Sequence, residues 1–285
     1  MVAFLKLKEI CFLIALCIFL IPIRSSGGSM NNKGTAYQNL SDVPEAVWQE
    51  LTLKKIYFGH QSVGYNIIEG INAIIKSNDK IKLNISELDK ATQFEGGIFA
   101  HSEIGENTKP ISKINEFSDL ISTTLKDKVD IAFFKLCFED IKANTDINTL
   151  FSSYKNAMTK LRKENPNVIF LQTTVPLLRR QQGGMVSWLK KMIGKDDGYF
   201  SNKHNMARNE FNQMARKEYA GNGTLFDVAE IESTNIDGTM STFNEGGNTY
   251  FSLAGDYTDD GGHLNKLGQK IVAEKLLLML ANLVK

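Results

Sequence analysis

The sequence predicts an α/β fold: a three-layer α/β/α sandwich around a central parallel sheet of about five strands. Two observations carry this. Short apolar, β-prone runs alternate with segments of helical period along most of the chain. The runs VDIAFFKL (Val129–Leu136) and NVIFLQT (Asn167–Thr173) lack strict apolar/polar alternation, as strands buried on both faces do. A third observation fixes the scale. With 285 residues, 42% apolar and 23% charged, the chain can bury one large core without disulfide staples.

Taken in order, the N-terminus stands apart. Lys6 and Lys8 precede an apolar run from Ile10 to Ile23, closed by Arg24 and the small residues Ser25–Ser29. This is the order of a secretory signal, and the run is short for a membrane span. Residues 1–29 are read as a signal peptide or N-terminal anchor, 30–42 as a polar linker and 43–285 as one folded domain. The expected location is secreted, periplasmic or cell-envelope, with a membrane partner only if the segment stays uncleaved. Cys17 follows Leu16, which is too large for a lipoprotein signal. Cys11 and Cys17 both lie in this segment, leaving only Cys137 in the folded part, so no disulfide joins it internally. Lys plus Arg number 33 against 32 Asp plus Glu; nothing in that balance points to a nucleic-acid partner.

Val43–Leu51 reads as a short helix. Lys54–Phe58 reads as a strand, then breaks into Gly59-His60-Gln61-Ser62-Val63-Gly64. After the break Val63, Ile67, Ile68 and Ile71 recur at helical spacing to about Lys76. Ile81–Leu88 alternates and reads as a second strand. Ala91–Lys113 is Gly-rich and polar, read as one long loop, followed by a helix over Ile114–Leu125. The strand Val129–Leu136, a helix over Ile147–Asn165 and the strand Asn167–Thr173 come next. Gln181–Ser201 reads as an insertion with a short helix at Trp188–Ile193. A helix over His204–Tyr219, a strand over Thr224–Val228, an irregular stretch Thr234–Thr258 and a final apolar helix Lys266–Val284 complete the chain.

Ser62 sits where a strand hands over to a helix, the place where parallel sheets bind ligands. The free N–H groups of a helix start can also stabilise an oxyanion there. On this stretch alone a capping role is favoured, because capping serines far outnumber nucleophiles. The segment YTDDGGHLNKLG (Tyr257–Gly268) changes the balance. It sets Asp260 three residues before His263, in a Gly-rich turn ahead of the last helix. A serine nucleophile needs a base, and the base needs an orienting carboxylate. Asp-x-x-His supplies both from one loop, with Asp256 and Asp259 as flanking competitors for the histidine. The chain has only four histidines. Of the others, His60 reads as a structural hydrogen-bonder or substrate contact, His101 as a loop residue that lines the cleft or faces solvent, and His204 as a surface residue. The spacing of His60, His101 and His263 matches no metal-ligand motif. Cys137, after a buried strand, reads as an inert buried thiol.

Together the two ends resemble the SGNH/GDSL hydrolase superfamily, whose fold is flavodoxin-like. Gly59–Ser62 stands at its first block, with His60-Gln61 where the family usually has Gly-Asp, and Asp260 with His263 stands at its last block. The resemblance implies a serine esterase acting on acyl esters, acetyl groups on carbohydrates among them, with Ser62, Asp260 and His263 catalytic. It implies no metal or organic cofactor. The substrate partner is then a small-molecule or polysaccharide acyl ester. It also implies an oxyanion hole built from the Ser62 N–H and a glycine N–H, for which Gly105 is the choice and Gly96 and Gly97 are rivals. The family's third-block asparagine is absent: Phe134-Lys135-Leu136-Cys137-Phe138-Glu139-Asp140 stands in its place. Asn107, or failing that Lys135, is the expected substitute donor. A non-catalytic glycan-binding module and an acyltransferase remain alternatives on the same fold.

Overall fold

The structure is a computed structural model that describes residues 36–89, 94–180 and 201–285. The expected signal, with Lys6, Lys8, Cys11 and Cys17, and the expected helix at Trp188–Ile193 lie outside the described residues. Five parallel strands form the central sheet: β1 (Lys55–His60), β2 (Ile85–Glu87), β3 (Ile98–Glu103), β4 (Ile131–Phe134) and β5 (Ile169–Phe170), in the order β2-β3-β1-β4-β5. The run after β5 breaks at Leu171, whose N–H donates to the Ala132 carbonyl. It resumes as β6 (Gln172–Thr173), which pairs with β7 (Leu225–Phe226).

Alternation along the strands assigns their two faces. Ile56, Phe58, Phe99, Ile131 and Phe133 enter one apolar cluster. Tyr57, Ile98, Ala100, Ala132 and Phe134 enter the other. Helices α1 (Glu45–Thr52), α2 (Val63–Ser77) and the final helix cover the first face. Helices α3 (Pro110–Ser122), α4 (Ile147–Glu164) and α5 (Asn202–Tyr219) cover the second. A short helix, α6 (Val228–Ser233), precedes the last one, α7 (Lys266–Val284). This is the three-layer sandwich that the sequence predicts.

Several expectations need correction. The supposed loop Ala91–Lys113 contains β3, the neighbour of β1 in the middle of the sheet. Its apolar core, Ile98–Ala100, is too short to show a period. Helix α3 starts at Pro110, earlier than expected, with proline in its first turn, where the missing N–H costs nothing. The second strand is only Ile85–Glu87, because Ile81 turns into the core instead of joining the ladder. The stretch Thr234–Thr258 holds a hairpin, β8 (Thr242–Glu245) with β9 (Asn248–Phe251), closed by Gly246-Gly247 at φ of 58° and 81°. Two positive φ values are what a tight two-residue hairpin turn requires. Residues 37–42, read as part of a linker, are docked: the Tyr37 N–H donates to Asn282 Oδ1 on α7 at 2.9 Å. Among the described residues no helix is long and apolar enough to cross a membrane.

The packing of α2 against α7 positions the site. A Cβ on Gly70 would stand 2.2 Å from the Gln269 carbonyl oxygen and 2.8 Å from Ala273 Cβ. Only glycine lets the helices come this close. Beneath the first turn of α2 lies a buried pair, His60 Nε2 to His101 Nδ1 at 3.1 Å, with the Tyr65 ring edge-on to both. A Cβ on Gly64 would stand 2.3 Å from the His60 ring. Burial, then the Lys135 ammonium and His101, push the His60 pKa down to about 2. Burial also lowers that of His101, against the opposing charge of Glu87.

Two predictions come from this packing. Gly70→Ala improves intrinsic helix propensity by about 1 kcal/mol. It nonetheless drives Cβ into backbone, so the urea unfolding midpoint falls, by roughly 1–3 kcal/mol of stability; an unchanged or raised midpoint contradicts the close packing. The second concerns pH. Folded His60 and His101 bind fewer protons than the unfolded chain, so their contribution is present above the ordinary histidine value of 6.5. It is lost as pH falls below that value towards the depressed folded ones, at no more than about 1.4 kcal/mol per pH unit per ring. Ring ¹⁵N spectra at pH 5 report His60 neutral; a His60 ring that titrates near 6.5 contradicts the account.

Candidate active site

Ser62 occupies the N-cap position of α2, but its side chain caps nothing. The backbone there has φ 52° and ψ −109°, a region that costs a non-glycine residue about 1–3 kcal/mol. The surroundings hold it. Gln61 Nε2 donates to the carbonyls of Ile104 at 2.9 Å and Gly105 at 2.5 Å. The Gly64 N–H donates to the Gln61 carbonyl at 3.0 Å, and the Tyr65 N–H to the Ser62 carbonyl at 2.8 Å. The strained turn aims the hydroxyl away from the helix and at His263.

Ser62 Oγ lies 2.7 Å from His263 Nε2, and His263 Nδ1 lies 2.7 Å from Asp260 Oδ2. With Nδ1–H donating to the carboxylate, Nε2 is left as the acceptor for the serine O–H. The other carboxylate oxygen, Asp260 Oδ1, accepts the Gly262 and His263 N–H groups, each at 2.8 Å. Desolvation acts to raise the Asp260 pKa. These hydrogen bonds and the imidazole outweigh it and bring the value down to about 2. The carboxylate is therefore ionised at any working pH. The His263 side chain is 48% exposed, open to an approaching substrate, and the Phe138 ring meets it edge-on with centroids 5.7 Å apart. The loop is tied back to α2 by the Leu264 N–H, which donates to Asn66 Oδ1 at 3.1 Å.

The structure thus brings Ser62, Asp260 and His263 together across 201 residues of chain. Asp259 does not compete for the imidazole; it accepts from Asn265 Nδ2 at 3.2 Å. The remaining site expectations are corrected. The Gly105 N–H donates to Glu116 Oε2 at 2.8 Å, so it is committed to a side chain and does not serve an oxyanion. Asn107 Oδ1 accepts from Lys113 Nζ at 2.8 Å, next to the buried ion pair Lys113–Asp140 at 2.7 Å. Only the carbonyl end of its amide joins that network. Lys135 is fully buried and donates to Cys137 Sγ at 3.3 Å; it neither reaches solvent nor serves an open site. His60 and His101 are buried and bonded to each other, which fits the structural reading of His60 and not a solvent-facing His101. His204 is half-buried and accepts the Ala143 N–H at 2.7 Å.

Sequence reasoning missed Gln61, Asn66, Thr258 and Phe138. Thr258 Oγ1 accepts the Gly261 N–H at 2.9 Å and shapes the Asp260 turn. Only its place in the same short loop marks it. Among the described residues, no acceptor takes the Ser62 or Val63 N–H group. These two amides sit at the positive end of α2.

No family model matches this sequence, and no curated protein matches it. Solved structures do. An acetylxylan esterase from Geobacillus stearothermophilus is 12% identical, with a TM-score of 0.42 over 80% of this chain and 94% of that one. A protein of carbohydrate esterase family 3 from Talaromyces cellulolyticus is 15% identical, with a TM-score of 0.43 over 81% of this chain and 96% of that one. A protein from Slackia heliotrinireducens assigned to the SGNH hydrolases is 12% identical, with a TM-score of 0.42 over 79% of this chain and 97% of that one. The chain is thus similar to several SGNH hydrolases and carbohydrate esterases of known structure.

Proposed function

We propose that this protein is an exported serine esterase that hydrolyses acyl esters, acetyl esters of carbohydrates in particular. The observation that carries the reading is the unbroken hydrogen-bond chain Ser62–His263–Asp260, both links 2.7 Å, on a turn whose serine caps no helix. A merely structural serine has no use for a strained backbone aimed at an imidazole. Export rests on the N-terminal pattern of Lys6, Lys8 and Ile10–Ile23, and the carbohydrate ester on the resemblance of the first and last sequence blocks.

In this mechanism His263 Nε2 takes the Ser62 proton as Oγ attacks the ester carbonyl. Asp260, ionised, holds Nδ1–H and stabilises the imidazolium that forms. The negative charge gathering on the carbonyl oxygen is met by the Ser62 and Val63 amides and the α2 dipole. His263 then protonates the departing alkoxide, leaving an acyl-serine. Water, deprotonated by the same imidazole, attacks it and restores the free serine. With the Gly105 N–H and Lys135 committed elsewhere and Asn107 held through its Oδ1, this reading makes the oxyanion site of backbone amides.

The test is acetate release from short acyl esters by the protein from residue 30 onward. Ser62→Ala lowers kcat by roughly a thousandfold or more with its unfolding midpoint kept. Wild-type turnover matched by Ser62→Ala contradicts the reading. Asn107→Ala retains wild-type kcat to within a few-fold; a loss of roughly a hundredfold at unchanged KM would return Asn107 to the oxyanion site. Asp260 stays ionised down to pH near 2, so any loss of activity between pH 7 and 4 is not its protonation. Export is tested by N-terminal sequencing of secreted protein, which begins between Ser26 and Asn32; an intact Met1 on soluble cytoplasmic protein contradicts it.

A further inference from the structure

Beside the Asp260–His263 loop lies a cavity of about 390 Å³ lined by Arg179, Arg180, Asn235, Ser241, Thr242 and Leu253, among others. Among the described residues, no carboxylate lines it. Both arginine side chains are exposed, and neither joins an ion pair among the described residues. Two guanidinium groups on one cavity wall, with no ion-pair partner among the described residues, suit it to an anion.

The backbone that carries them is fixed from several sides. The Val175 N–H donates to Asn212 Oδ1 at 2.7 Å and the Leu177 N–H to the buried Glu232 carboxyl. Leu178 exchanges two hydrogen bonds with the Asn205 side chain, and its carbonyl also accepts the Leu253 N–H at 3.2 Å. The Arg179 N–H donates to the Gly261 carbonyl at 2.9 Å. Gly261 and His263 are two residues apart, so their Cα atoms are no more than about 7.6 Å from each other. The backbone that carries the cationic wall is therefore tied directly to the loop that carries the imidazole.

We propose that this cavity is an anion subsite, in which Arg179 and Arg180 take a carboxylate or phosphate group carried near the ester. The substrate class is then an acylated polyanion, either a uronate-containing glycan or a polyol-phosphate polymer. The inference rests on the esterase reading for its place in catalysis, but the subsite itself is tested by binding.

Isothermal titration with de-esterified oligogalacturonate and with poly(glycerol phosphate) uses the Ser62→Ala protein, with neutral xylo-oligosaccharide as the control. At least one polyanion binds more tightly than the neutral oligomer. Arg179→Gln/Arg180→Gln weakens that binding by roughly tenfold or more, and raising salt from 50 to 500 mM weakens it in the arginine-containing protein only. The polymer that responds tells carboxylate from phosphate. In the protein with Ser62 intact, the double variant keeps wild-type kcat/KM on p-nitrophenyl acetate but loses preference for the acetylated polyanion over acetylated xylan. The proposal is overturned if neither polyanion binds more tightly than the neutral oligomer, or if the double variant binds as well as its parent. Failure of the esterase reading shows separately, as absence of Ser62-dependent acetate release, and leaves the titration result standing.

Discussion

The close approach of α2 and α7 is the constraint on which the site depends. Each helix starts at the carboxyl edge of the sheet, one after the Ser62 turn and the other after the Asp260–His263 loop. Gly70 lets its backbone lie against the Gln269 backbone carbonyl and the Ala273 side chain. Asn66 on α2 then receives the Leu264 N–H from the loop. Two turns that are distant in sequence are thereby held at hydrogen-bond distance, and the serine–imidazole contact is a consequence of helix packing. Loosening that packing by an ångström separates Oγ from Nε2 without touching either residue.

Beneath the site is a layer of buried polar groups. His60 pairs with His101, Lys135 with Cys137, and Lys113 with Asp140. Asp140 also accepts the Thr108 and Cys137 N–H groups, at 2.9 and 2.7 Å. It thus joins the loop after β3, helix α3 and the segment after β4. Removing one partner of the Lys113–Asp140 ion pair leaves a buried charge uncompensated, which costs about 3–5 kcal/mol. Glu232, under the arginine-bearing segment, has its pKa raised to about 8 by burial, with the Leu177 N–H and Lys135 acting the other way. Where the SGNH pattern has its third-block asparagine, this chain has residues that build this layer.

What was legible in the sequence were features with local signatures. Helix α7 spans Lys266–Val284, the stretch read from its apolar run, and Asp-x-x-His announces itself by spacing. β3 was not legible because its three apolar residues sit between Gly96-Gly97 and a polar tail, and only pairing with β1 makes them a strand. The fates of Gly105, Asn107 and Lys135 were not legible either. Each depends on how a nearby segment folds back: Glu116 and Lys113 on α3 for the Gly105 N–H and Asn107, and Cys137 just past β4 for Lys135. A glycine in a loop looks available until the carboxylate that takes its N–H is located in space. The capping reading of Ser62 failed for a related reason. It is settled by a backbone φ of 52°, which no residue pattern encodes.

The central claim is that packing and backbone strain make Ser62 a nucleophile activated by His263. Covalent labelling tests it most directly. Folded protein is treated with a fluorophosphonate ester, digested, and the adduct located by mass spectrometry. The account predicts one adduct, on Ser62, forming far faster in the wild type than in a folded His263→Ala variant that still carries the serine. A folded wild-type protein unlabelled at Ser62, or labelled there equally fast without His263, would contradict it.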